Sequence, residues 1–238
     1  MPLPSGLSSY EFIRELVPSR DLPNYFHLHI LKDEKGLPLL APEGAPQKNL
    51  LDIEAFFGQK GPIEIEIGCG KGTFLNHYCE NHPDLSFVAL EWEAEFAFYS
   101  AERLAKRPHL KHARVVLGDA QPFLRDFLPE SCAQALHVYF PDPWPKKRHH
   151  KHRTMRPDFL ELMRRVALPG ALFYFGTDHA EYNEAAQEVF AATPWLEMLD
   201  RNAPPTEGIM TNFEIKYRAE GRPIYRYVMR ITKDEGRG

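Results

Sequence analysis

From Pro62 onward, short apolar runs alternate with amphipathic stretches. The runs are Ile63–Ile67, Phe87–Leu90, Arg114–Leu117, Leu136–Phe140 and Ala171–Phe175. Runs of this length and composition predict buried strands. Between them the pattern predicts helices near Thr73–Glu80, Ala94–Ala105, Pro122–Phe127, Arg156–Ala167 and Ala180–Ala192. In the fourth of these, Phe159, Leu162, Met163 and Val166 share one stripe, as on a core-facing helix. Strand–helix alternation at this spacing predicts an α/β fold, a doubly wound parallel sheet covered on both faces. The alternation then stops. Thr211–Tyr217 and Ile224–Ile231 flank Gly221-Arg222-Pro223 and predict an antiparallel hairpin that closes the sheet.

Residues 1–60 differ. They carry Pro2, Pro4, Pro18, Pro23, Pro38, Pro42 and Pro46, and proline disfavours long regular elements. The expectation is an irregular arm with a short segment at Phe26–Leu31, docked through Tyr25, Phe26, Leu28 and Ile30. The main domain is expected over 61–232, and 233–238 as a disordered tail.

Composition narrows the function. In 238 residues, 43% are hydrophobic and 26% charged, ordinary for a globular protein. The net charge of −4 excludes a general nucleic-acid glue, so attraction for a polyanion must come from a local patch. Cys69, Cys79 and Cys132 cannot pair completely and lack metal-ligand spacing, which fits a reducing setting and no bound metal. No apolar run approaches the roughly 20 residues of a spanning helix, and the N-terminus lacks a secretory pattern. A cytoplasmic protein is expected.

Glu66-Ile67-Gly68-Cys69-Gly70-Lys71-Gly72 puts a glycine loop between a strand and a helix, where open parallel sheets bind ligands. The third glycine falls one position early for the dinucleotide fingerprint, and the Walker phosphate loop is absent. Glu91 ends the second strand about 20 residues on, where an acid accepts hydrogen bonds from a ribose. Gly118-Asp119-Ala120 follows the third strand, beside the place for an adenine. Glu66 would repel a pyrophosphate and attract a cation. S-adenosylmethionine, with a sulfonium, an ammonium and no phosphate, fits this set better than NAD.

The most specific stretch is Tyr139-Phe140-Pro141-Asp142-Pro143-Trp144-Pro145, followed by Lys146-Lys147-Arg148-His149-His150-Lys151-His152-Arg153. Asp142 stands at a strand's carboxyl end in a proline-stiffened turn, facing the methyl donor. Trp144 either stacks on a base or belongs to the core. The run that follows holds five Lys/Arg and three His in eight residues, a cationic edge beside the reaction site. The three histidines lack convincing zinc spacing and serve as donors or stacking groups.

Together with Gly176-Thr177-Asp178 and Thr211-Asn212-Phe213-Glu214, these segments resemble the bacterial-type tRNA (guanine-N7)-methyltransferase family, in its order and spacing, over about residues 60–232. The resemblance implies a Rossmann-like class I methyltransferase fold with a seven-stranded sheet. It implies methylation of a guanosine in the variable loop of tRNA by S-adenosylmethionine, in a monomer or homodimer. Carried over position by position, Glu66, Gly68, Gly70, Glu91, Asp119, Ala120 and Asp142 look like donor-binding residues, and Asp142 like the catalytic one. Lys146 and Asp178 look like substrate contacts, with Arg148, His149, His150, Lys151, His152 and Arg153 as the RNA-binding run. Thr211, Asn212, Phe213 and Glu214 look like a final substrate-binding strand.

Three other readings compete. A same-fold enzyme acting on another RNA or a small molecule would, in the small-molecule case, have no use for 146–153. A non-catalytic RNA-binding module would not need the donor acids together with Asp142. A dehydrogenase would need an NAD site.

Overall fold

The computed structural model describes residues 14–20, 22, 24–30 and 50–233. The expectations for 1–13, for 31–49 and for the tail from 234 lie outside the described residues. In chain order the strands are β1 (Arg14–Pro18), β2 (Tyr25–Ile30), β3 (Ile63–Ile67), β4 (Ser86–Glu91), β5 (Ala113–Leu117), β6 (Ala133–Tyr139), β7 (Ala167–Thr177), β8 (Leu196–Asp200) and β9 (Tyr225–Ile231). The helices are α1 (Ile53–Phe57), α2 (Thr73–Asn81), α3 (Ala94–Ala105), α4 (Ala120–Pro122), α5 (Pro157–Val166), α6 (Ala180–Ala191) and α7 (Asn212–Ala219).

β3 is buried at all five positions, Ile-Glu-Ile-Glu-Ile, because helices cover both faces of a parallel strand in mid-sheet. It pairs in parallel with β4 on one side and β6 on the other. The full order is β1-β2-β5-β4-β3-β6-β7-β9-β8. The order from β5 to β8 is the doubly wound core, with its reversal at β3, and it accounts for the seven strands expected. β9 runs antiparallel to both β7 and β8.

Two expectations need correction. The sheet has nine described strands, because the proline-rich arm contributes two. β1 and β2 form an antiparallel pair, and β2 pairs in parallel with β5, Tyr25 opposite Val115. Tyr25 is buried, and Asn24 accepts from the Val115 amide at 2.9 Å. Gly118, at φ 157°, allows this closeness: a methyl group there would sit 2.6 Å from the Leu28 Cβ.

The second correction concerns the hairpin. Residues 212–219 form α7, and the antiparallel partner of β9 within this part of the chain is β8. Thr211 caps α7, its hydroxyl accepting from the Glu214 amide at 3.1 Å. Thr-x-x-Glu is a helix-start signature, and it prevails over the alternation of Phe213, Ile215 and Tyr217. The expected helix at Pro122–Phe127 is a short α4 turn continued by a π-helical segment, Phe123–Phe127. Among the described residues no helix is long and apolar enough to cross a membrane, and no group of His, Cys, Asp or Glu is arranged to hold a metal. The three cysteines are unbridged.

Candidate active site

The loop after β3 turns sharply into α2. Gly72 sits at φ 65°, and any side chain there would run into the Ser100 hydroxyl. The Glu91 carboxylate grips the loop: Oε2 accepts from the Gly70 amide at 2.7 Å, and Oε1 accepts from the Glu93 amide at 2.9 Å. Burial pushes the Glu91 pKa up, against the pull of these amides. Asp119 caps α4, accepting from the Gln121 amide at 2.9 Å, and burial raises its pKa as well.

Glu66 is the outlier. It is 2% exposed, and among the described residues its Oε2 has no hydrogen-bond partner. Burial, and secondarily the charge of Glu91, push its pKa up to about 8. An unpartnered buried carboxyl beside a second acid is a site waiting for a cation.

Two cavities open at the carboxyl ends of the strands. The first, about 550 Å³, is lined by Gly68, Gly70, Glu91, Asp119, Ala120, Asp142, Trp144 and Phe213, among others. The second, about 720 Å³, is lined by Glu66, Thr211, Asn212 and Phe213, among others. Gly68, Gly70, Phe96, Tyr139 and Phe213 belong to both. The predicted donor acids and Asp142 therefore surround one continuous cleft.

Asp142 lies exposed on the cleft wall. Its turn is strained: Phe140 has φ 52° and Trp144 φ 43°, at a cost of about 1–3 kcal/mol each for non-glycine residues. Two bonds hold it there. The Phe140 amide donates to the Gly176 carbonyl at 2.7 Å, and Arg153 Nε donates to the Pro143 carbonyl at 2.9 Å. Trp144 is half-buried and lines the cleft, with the His149 and His152 rings 5.7 and 5.2 Å away.

The basic run forms a short 3-10 helix, Lys147–His152. Lys146, Lys147, Arg148, Lys151 and His152 are exposed, and His149 and His150 half-buried. Arg153 is buried against the protein while still lining the first cavity. It is 4% exposed, pairs with Glu181, and lies 5.1 Å over the Tyr182 ring. It braces the Asp142 turn from within.

Two other predicted contacts do not line the cleft. Glu214 is fully buried, accepting from Arg218 Nε at 2.9 Å and pairing with Arg226. Asp178 accepts from Arg222 at 2.9 Å. Neither lines either cavity. The helical turn of α7 explains this: it presents 211–213 to the cleft and rotates Glu214 toward β9. Sequence reasoning missed Phe96 and Tyr139 as lining groups. Phe96 had a legible signal, lying five residues beyond Glu91 on the first turn of α3.

These residues fit S-adenosylmethionine. Glu66 offers a buried carboxyl to the ligand's cationic end, Glu91 and Asp119 stand at the next two strand ends, and no basic side chain in the Gly68–Gly70 bend itself prepares it for a pyrophosphate. The fold agrees. The chain superposes on the 16S rRNA methyltransferase KamB with a TM-score of 0.57, at 16% identity over 93% of this chain and all of that one. It superposes on the aminoglycoside resistance methyltransferase NpmB1 with a TM-score of 0.55, at 17% identity over 77% and 95%. Fold and cleft together define a class I, S-adenosylmethionine-dependent methyltransferase.

Residues 60–227 match the family described as "Putative methyltransferase". The chain is 38% identical over 182 residues to the tRNA (guanine-N(7)-)-methyltransferase of Aromatoleum aromaticum, covering 76% of this chain and 70% of the relative. To the enzyme of the same name from Myxococcus xanthus it is 34% identical over 201 residues, covering 83% and 94%. The chain belongs to the tRNA (guanine-N(7)-)-methyltransferase family.

Proposed function

We propose that this protein transfers a methyl group from S-adenosylmethionine to N7 of a guanosine in the variable loop of tRNA, in the cytoplasm. The observation that carries the reading is the cleft whose lining brings together the Gly68–Gly70 bend, Asp142 and the edge of the basic turn. S-adenosylmethionine, when bound, supplies an electrophilic methyl group.

Guanine N7 has an in-plane lone pair and no proton, so no general base is required. The protein's task is to orient the ring and to stabilise the charge that develops on it. We assign this task to Asp142. Its carboxylate accepts from the N1–H and amino edge of guanine as the ring becomes cationic. The strained turn fixes that carboxylate before substrate arrives, which lowers the reorganisation needed in the transition state. Thr211, Asn212 and Phe213 shape the mouth through which the base enters. Lys146, Lys147, Arg148 and Lys151 hold the RNA backbone while the base leaves its stack. Recognition therefore rests on tRNA shape more than on sequence.

The test is labelled methyl transfer to bulk tRNA lacking the modification, followed by nucleoside mass spectrometry and mapping of the site. The expected product is 7-methylguanosine in the variable loop. Label appearing on another base, or only on a small molecule, overturns the reading.

A further inference from the structure

Besides the donor acid Glu66, the second cavity has a cationic and aromatic lip. Lys71, Arg103 and Lys216 surround it, together with Phe96, Tyr99 and Phe213. Against these three cations its lining holds one carboxylate, Glu66, which is buried. Tyr99 is 47% exposed, and the Lys71 ammonium lies 5.9 Å from its ring and 6.0 Å from that of Phe96. Arg103 fixes this lysine's backbone, donating to the Lys71 carbonyl at 2.7 Å and to the Thr73 hydroxyl at 2.9 Å. Lys216 lies 5.7 Å over the Tyr217 ring and pairs with Glu220 at 3.9 Å in an exposed pair, which an incoming anion displaces at little cost.

Cations interleaved with exposed aromatic faces make a surface for unpaired nucleotides: the charges take phosphates and the rings take bases of any identity. We propose that this lip is a second RNA-binding site, taking a phosphate at Lys71 and Lys216 and stacking an unpaired base on Tyr99. The inference rests on the tRNA reading above and deepens it. The turn at Lys147–His152 reaches the first cavity through His152, and the Lys71–Lys216 lip borders the second. The shared residues Gly70, Tyr139 and Phe213 join them. A guanosine extruded into that junction is thus held by the chain on both of its flanks.

The experiment measures tRNA affinity across a salt series, and donor affinity by calorimetry, for the full-length wild type and the variants Tyr99→Leu, Tyr99→Phe, the double Lys71→Gln/Lys216→Gln, and Lys147→Gln. Tyr99→Leu is expected to weaken tRNA binding about tenfold, with Tyr99→Phe restoring it. The double variant should lower the slope of log affinity against log salt by about 1 to 2, as for one to two lost phosphate contacts. Donor affinity should stay within about twofold of wild type. Unchanged tRNA affinity and slope in the Tyr99 and Lys71/Lys216 variants, with Lys147→Gln still weakened, overturns the second site and leaves the proposed function standing. Donor affinity falling in place of tRNA affinity also overturns it, assigning the cations to the donor's carboxylate. A wild type that binds no tRNA overturns both.

Discussion

Arg153 Nε lies 2.9 Å from the carbonyl oxygen of Pro143, joining the last residue of the basic run to the turn that carries Asp142. The guanidinium is 4% exposed and also engages Glu181 and the Tyr182 ring. The bond anchors a turn with an aromatic residue at positive φ on each side of Pro143, Phe140 and Trp144. Strain of that kind persists only where the surroundings over-determine it. Arg153 is therefore a positioning residue.

Arg153→Ala should release the turn. The expected outcome is turnover reduced about 10- to 100-fold, as for a catalytic group displaced by about 1 Å, with tRNA affinity changed far less than by Lys147→Gln. Arg153→Lys should not rescue, because an ammonium cannot keep the forked contacts to a carbonyl and a carboxylate together. Single-turnover rates and tRNA affinities on the same preparations separate the roles. A pure RNA contact would lose affinity and keep its rate.

Asp142 should show the opposite split from a binding residue. Asp142→Asn preserves size and removes the charge that opposes a cationic guanine. Turnover at saturating donor and tRNA is expected to fall about 100- to 1,000-fold, the scale for losing one preorganised electrostatic contact. Full turnover under those conditions would remove Asp142 from the chemistry.

Glu66 couples stability to pH. Its folded pKa of about 8 lies above the ordinary carboxylate range. The folded state therefore keeps a proton that the unfolded chain has lost between about pH 4.5 and 8. This group's contribution is most favourable below that window, falls as pH rises through it, and is flat above. In the ligand-free protein, Glu66→Gln should raise the melting temperature at pH 8 relative to wild type and change it little at pH 5. The same variant should weaken donor binding, since a neutral amide lacks the charge that attracts an ammonium. Thermal scans at the two pH values test the first claim, and a gain that is equal at both would contradict it.

The sequence exposed most of the core and the acids at the strand ends, because both rest on local pattern. Ile63–Ile67 reads as a strand wherever it sits, and an acid at its end follows. The features it hid are tertiary. Nothing in a run of eight basic residues says that the last turns inward, since the Glu181 and Pro143 contacts come from other elements. Prolines 18 and 23 suggested an irregular arm, yet Pro18 ends β1 at the outer edge of the sheet, where its missing donor costs no ladder bond. The misreading of 211–217 was avoidable. Thr211 and Glu214 have capping spacing, and Glu214 and Arg218 stand one helical turn apart.

Glu214 offers the last test, because the structure gives it work inside the protein. It is fully buried and holds Arg218 on its own helix and Arg226 on β9. Arg226 is 4% exposed, lies 4.8 Å over the Tyr139 ring, and reaches the Thr206 hydroxyl at 3.4 Å. The pair therefore fastens α7, and with it Thr211 to Phe213, to the strand beneath. Removing one partner of a buried ion pair strands the other, at a cost of about 3–5 kcal/mol, whereas replacing both by apolar groups is often tolerated. Glu214→Ala should accordingly lower the melting temperature sharply, and Glu214→Leu combined with Arg226→Met should recover much of the loss. Denaturant titration of the singles and the double measures the coupling. If Glu214→Ala melts like wild type and only its KM for tRNA rises, the carboxylate turns outward to the substrate in solution and the brace is not what holds α7 in place.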